Sequence, residues 1–243
     1  MGATNMIPVA FDLEIAKEVE GNDWSVFRPL GITCAALHFG RGVSVVDHGA
    51  LGPGGSKMTA WQVQAFIARM YASRRRWTIV TWNGLGFDFD ILAEEACNPT
   101  YAAMCSNLAL NHIDIGFQML CERGFMVALN VAAKGLGLHG KTEGMSGDKA
   151  PTMWTQGEEQ QKKVLEYVEQ DVITTLQVYE RLVETGKLSW ITKAGTPAKY
   201  PWEPEIRNGR LLTASECLNL PLPDTSWMDE PWPREKFTRW TTQ

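Results

Sequence analysis

The chain has 243 residues, of which 44% are apolar, 21% charged and 10% aromatic; this is enough for one substantial core and excludes wholesale disorder. No apolar run approaches the roughly 20 residues that span a bilayer, no leader pattern opens the chain, and five scattered cysteines without a CxxC pair suggest neither a disulfide framework nor a zinc site. A protein of the reducing cytoplasm with no membrane partner is expected, and its net charge of -5 excludes bulk coating of nucleic acid while leaving room for an acidic cluster that holds divalent cations.

From Ile7 to Ile15, apolar Val9, Phe11, Leu13 and Ile15 alternate with Ala10, Asp12 and Glu14, which predicts a half-buried strand. Asp12 and Glu14 share its second face about 6.6 Å apart. They form either a solvent-facing polar edge or a pair that needs a positive charge between them. Strands are expected at about 31 to 39 and 42 to 48, with Gly40-Arg41-Gly42 as the hairpin turn. Trp61, Val63, Phe66, Ile67 and Met70 recur at helical spacing between Lys57 and Arg74, and the run Arg74 to Arg76 closes that helix.

Trp77 to Trp82 reads as a buried strand, Asn83-Gly84-Leu85-Gly86 as a turn, and Phe87 to Cys97 as a helix. Asp88, in its first turn, is either a favourable N-terminal acid or a functional carboxylate, and Asp90 competes for the second role. Helices are expected at 115 to 123, capped by Asp114, and at 129 to 137, followed by a loop from His139 to Met153. Thr155-Gln156-Gly157-Glu158 fits a capping box for a helix of about 28 residues. Val164, Val168, Val172, Leu176, Tyr179 and Val183 form its apolar stripe, and Gly186 stops it. Tyr167 and Asp171 sit one turn apart at the border of that stripe.

Residues 187–243 hold seven of the 12 prolines and five of the 10 tryptophans, a density that excludes long helices or strands. The division expected is a main domain over 1–186 and a Pro/Trp-rich extension over 187–243, packed on that domain or on a partner, a second copy of the chain included.

In chain order, Phe11-Asp12-Leu13-Glu14, Asn83-Gly84-Leu85-Gly86-Phe87-Asp88 and Tyr167-Val168-Glu169-Gln170-Asp171 resemble the three exonuclease motifs of the DEDD family of 3′-to-5′ exonucleases. The likeness is greatest to the proofreading domain of family B DNA polymerases and its free-standing bacterial relatives, and it spans about residues 6 to 186. The middle motif, N-x-x-x-F-D, singles out Asp88 over Asp90. Glu166 stands five residues before Asp171, where the other subclass has a histidine, so the chain resembles the tyrosine subclass (DEDDy). Asp90 also stands where a proline often follows the middle motif.

The resemblance implies an α/β ribonuclease-H-like fold, a central mixed β-sheet flanked by helices. It implies Asp12, Glu14, Asp88 and Asp171 as ligands of two divalent cations, Mg²⁺ or Mn²⁺, with Asp12 bridging and Tyr167 orienting the attacking water. Asn83 and Phe87 would contact the terminal nucleotide, or serve only as a turn amide and a core ring. The activity implied is release of nucleoside monophosphates from single-stranded nucleic acid 3′ ends, DNA favoured over RNA. An assembly module on the same fold and an endonuclease using the same acids are the alternatives. Lys141, Lys162, Lys163 and Arg74 to Arg76 are either phosphate contacts or solvated charge.

Overall fold

The computed structural model describes residues 6–21, 23–138 and 146–242. Five strands form one mixed sheet: β1 (Ile7–Ile15), β2 (Ile32–His38), β3 (Ser44–His48), β4 (Trp77–Thr81) and β5 (Ile113–Asp114), in the spatial order β3-β2-β1-β4-β5. β2 pairs antiparallel with β1 and, through the expected Gly40-Arg41-Gly42 turn, with β3, whereas β4 runs parallel to β1 and β5 parallel to β4. Parallel neighbours need a crossover. Here it is made by α1 (Ala60–Ser73) between β3 and β4, and by α2 (Asp88–Glu95) and α3 (Pro99–Asn111) between β4 and β5.

Helices α4 (Ile115–Arg123), α5 (Leu129–Gly135), α6 (Ala150–Thr155) and α7 (Glu158–Thr185) follow. Val9, Phe11 and Leu13 of β1 pack with Phe66, Phe89 and Phe117 in one buried cluster. Ala10 packs on the other side of the sheet with Val164, Val168 and Val172 of α7, so the sheet is a layer between two sets of helices.

Burial on both sides corrects the expectation of a half-buried β1. The face that carries Asp12 and Glu14 is roofed by α7, which crosses β1 and β2, so a solvent-facing polar edge is not what these acids form. Trp61, assigned to the apolar stripe of α1, is 75% exposed, and Val63, Phe66, Ile67 and Met70 make that stripe alone. The capping box at Thr155 does not form: Thr155 ends α6, and α7 begins after Gly157, whose φ of 98° suits glycine. Helix α3 was not anticipated, and α6 takes the end of the segment expected to be a loop. His139, Gly140 and Lys141 lie outside the described residues. α7 itself has the expected 28 residues and ends at Gly186 in the left-handed conformation.

Beyond α7 the chain forms only short elements: the two-residue strands β6 (Ile206–Arg207) and β7 (Arg210–Leu211), and helices α8 (Ala214–Leu218) and α9 (Glu235–Thr238), the last followed by a 3₁₀ turn at Arg239–Thr242. Trp202 and Leu211 are buried in the cluster beneath α7, while Leu212, Phe237 and Trp240 are buried in the opposite cluster. Trp202 also donates its indole N–H to Glu122 at 2.7 Å. Among the described residues no helix is long and apolar enough to cross a membrane.

Because Trp202 is 1% exposed, Trp202→Ala is expected to cost about 3–5 kcal/mol of unfolding free energy. Trp61→Ala is expected to stay within about 0.5 kcal/mol of the parent. Urea unfolding of the two variants checks this, and equal midpoints would contradict it.

Candidate active site

Three carboxylates meet between β1 and α7. Asp12, Glu14 and Asp171 each offer an oxygen, and all three oxygens lie within 4.8 Å of one another. Glu14 and Asp171 are buried and Asp12 is half-buried. The set is all hard oxygen, suited to Mg²⁺ or Mn²⁺ rather than to zinc. Carboxylates this close repel one another and favour a cation between them.

Tyr167, one turn before Asp171 on α7, is 2% exposed and hydrogen-bonded to the Asp171 carboxylate. Burial, followed by the charges of Asp171, Glu14 and Asp12, raises its phenol well above the usual tyrosine range. The hydroxyl therefore keeps its proton at any physiological pH and acts as a hydrogen-bond donor.

Asp88 stands beside this trio rather than in it. β4 pairs with β1 only from Ile7 to Ala10, so the far half of β1 has no strand on that side. In the gap, the Asp88 carboxylate accepts the N–H of Leu13 at 3.3 Å. Burial, then Asp114, then Glu14 push the Asp88 acid up to about 8. Asp90, two residues on, is taken up by an ion pair with Arg28 at 2.5 Å.

The turn that carries Asp88 is pinned by a group whose full role sequence reasoning missed. Asp114, at the end of β5, was read only as a cap, and it does accept Phe117 N–H at 2.9 Å. Its two oxygens also accept the N–H groups of Asn83 and Leu85, each at 2.8 Å. Thr81 Oγ1 accepts Gly84 N–H at 3.1 Å and lies 2.9 Å from His112 Nε2, while His112 Nδ1 lies 2.5 Å from the Ala109 carbonyl. Burial lowers the pKa of His112, which leaves the ring neutral, with Nδ1 donating to that carbonyl and Nε2 accepting the threonine hydroxyl. Gly84 is required by close approach, since a Cβ there would come within 2.6 Å of Thr81.

Asn83 is half-buried in this turn at φ 68°, and its Oδ1 is buried without a hydrogen bond. Phe87 precedes α2 and meets the edge of Trp24 at 5.2 Å. Of the proposed phosphate contacts, Lys162 and Lys163 pair with Glu158 and Glu159 on α7. Arg74 lies over Tyr71, and Lys141 is outside the described residues.

A family model described as the RNase_H superfamily (RNase_H_2) matches residues 56–183, more than half of the sequence. The chain belongs to the RNase H superfamily. The matched segment takes in Asn83, Asp88, Asp114, Tyr167 and Asp171, while β1 precedes it. Among solved structures, this RNase H superfamily chain is similar to the family B DNA polymerase from the hyperthermophilic archaeon Pyrobaculum calidifontis, with a TM-score of 0.52 and 19% identity. The likeness covers 72% of this chain and 24% of the polymerase, and at that identity it is one of fold. No curated protein matches the sequence significantly.

The raised pKa of Asp88 has a consequence for stability. Between the unfolded value, about 3.9, and the folded value near 8, the folded protein holds a proton that the unfolded chain has released. Stability of the metal-free protein is therefore lost as pH rises through this window. Asparagine carries no charge and can still accept from Leu13. Asp88→Asn is thus expected to be more stable than the parent above pH 8 in EDTA, with the two converging toward pH 4. Urea titrations across that range check it; a parent that is more stable at pH 9 would contradict it.

Proposed function

We propose that this chain is a metal-dependent 3′-to-5′ exonuclease of the tyrosine subclass. It hydrolyses the last phosphodiester of single-stranded nucleic acid, DNA in preference to RNA, and releases nucleoside monophosphates. The observation that carries the reading is the convergence of Asp12, Glu14 and Asp171, drawn from a strand and a helix far apart in the chain, around the Tyr167 hydroxyl.

In this reading Asp12, Glu14 and Asp171 would hold divalent cations between β1 and α7, with Asp88, beside the trio, as a further ligand. Bound there, the ions would supply charge relief for the pentacovalent phosphorus and lower the pKa of water. The Tyr167 hydroxyl, protonated and held against Asp171, orients the nucleophile instead of removing its proton. Asn83 and Phe87, on the turn that Asp114 holds, contact the terminal nucleotide. A coordinating role for Asp88 accords with its raised pKa, because a nearby dication favours the charged form that burial disfavours.

A single-stranded DNA labelled at its 5′ end, incubated with Mn²⁺, is expected to shorten from its 3′ end as a ladder. Asp12→Ala and Asp171→Ala should each lower the rate by at least about 10³, the equivalent of several kcal/mol of charge stabilisation. Tyr167→Phe should lower kcat on the order of 10² without moving the Mn²⁺ concentration at half-maximal rate. Cutting of a circular strand would replace the exonuclease by an endonuclease, and equal rates in all variants would overturn the assignment of these residues.

A further inference from the structure

A cavity of about 870 Å³ opens beside the Asn83 turn, and its far wall is built by the end of the chain. Trp24 and Asn83 line one part of it, and Trp232, Lys236 and Arg239 line another. This wall is joined directly to the turn that carries Asp88. Trp240 donates its indole N–H to the Leu85 carbonyl at 2.8 Å, and Phe237 packs on Phe117. Phe237 also lies so close to Gly86 that a Cβ there would fall 2.4 Å from its ring. Only glycine at position 86 lets the final segment dock so tightly.

The cavity is lined by aromatic rings and two cations, Lys236 and Arg239, with one buried amide oxygen lacking a partner. Trp232 is 51% exposed although it belongs to a docked segment, and Lys236 sits over its ring at 5.4 Å. Three acids also line the cavity. Asp90 is paired with Arg28, Asp23 accepts the amide and hydroxyl of Ser25, and Glu235 opens α9 beside Lys236. Ser25 first, with smaller contributions from Lys236 and Arg239, holds Asp23 below the usual carboxylate range.

We infer that the C-terminal segment forms the outer wall of the substrate cleft, where Trp24 and Trp232 stack unpaired bases and Lys236 and Arg239 carry the phosphates of a single strand entering the Asn83 turn. An exposed ring, Trp232, and a half-buried one, Trp24, beside two cations suit a strand whose bases are free to stack, and do not suit a duplex whose bases are already paired. The assignment rests on the nuclease reading of the neighbouring carboxylates. It adds substrate contacts outside the three motifs.

The test is fluorescence anisotropy of a labelled single-stranded DNA hexamer with the full chain in EDTA, so that binding is read without hydrolysis. Trp232→Ala is expected to weaken binding roughly tenfold. The double variant Lys236→Ala/Arg239→Ala is expected to lower the slope of log affinity against log salt by about 1.4, which a merely structural change would not do. Trp61→Ala, exposed on α1, should bind as the parent does.

Parent-like affinity and salt slope in the Trp232 and Lys236/Arg239 variants would overturn the inference. So would a blunt duplex bound as tightly as the single strand, or a parent that binds no oligonucleotide. Mn²⁺-dependent hydrolysis of bis(p-nitrophenyl) phosphate by the parent is the separate readout. Its absence alongside oligonucleotide binding would sink the nuclease reading and leave a single-strand binding surface that is no longer the wall of a substrate cleft.

Discussion

Repulsion among Asp12, Glu14 and Asp171 is the constraint to which the rest of the fold answers. At an effective dielectric of about 20, two unit charges at the outer limit of 4.8 Å cost about 3.5 kcal/mol. Helix α7 presses these groups together by laying Val164, Val168 and Val172 on the face of β1 that carries Asp12 and Glu14. Burial of apolar side chains of this size is worth about 1.5–3 kcal/mol each. Packing thus holds the carboxylates at a spacing they would not adopt freely, and a site so arranged favours a cation before any substrate arrives.

The sheet supplies the remaining geometry. β1 extends beyond the end of β4, and the gap this leaves admits the Asp88 carboxylate to the N–H of Leu13. Such crevices, beyond the carboxyl ends of parallel strands, are where α/β folds place their ligands. Asp114 and Thr81 then hold the turn between β4 and α2 by its amides at Asn83, Gly84 and Leu85. The last segment locks onto the same turn through Trp240 and Phe237. Distant parts of the chain therefore share one short turn, and the position of Asp88 depends on all of them.

Much of this was legible in local pattern. Alternation at Ile7 to Ile15, helical spacing along α7, and the short motifs single out Asp12, Glu14 and Asp171, the three carboxylates that the fold brings together. What local pattern does not carry is the partner of a surface. Trp61 falls in the phase of the α1 stripe, yet it points to solvent because nothing among the described residues covers its edge of the helix. The Asn98-Pro99 start of α3 is a helix signal, but its buried side chains are only Cys105, Leu108 and Ala109, too few to mark a period. Asp114 shows itself as a cap because that bond is local, whereas its grip on Asn83 and Leu85 exists only once β5 lies beside β4. The depth of the acidic pair on β1 was hidden for the same reason, since α7, which covers it, begins only at Glu158.

Diffraction from crystals grown in MnCl₂, with anomalous maps recorded at the manganese edge, tests the central claim most directly. The account predicts one ion about 2.0–2.3 Å from oxygens of Asp12, Glu14 and Asp171, and a second about 3.5–4 Å away on the side of Asp12 that faces Asp88. Manganese absent from these carboxylates, while bound elsewhere on the molecule, would contradict it.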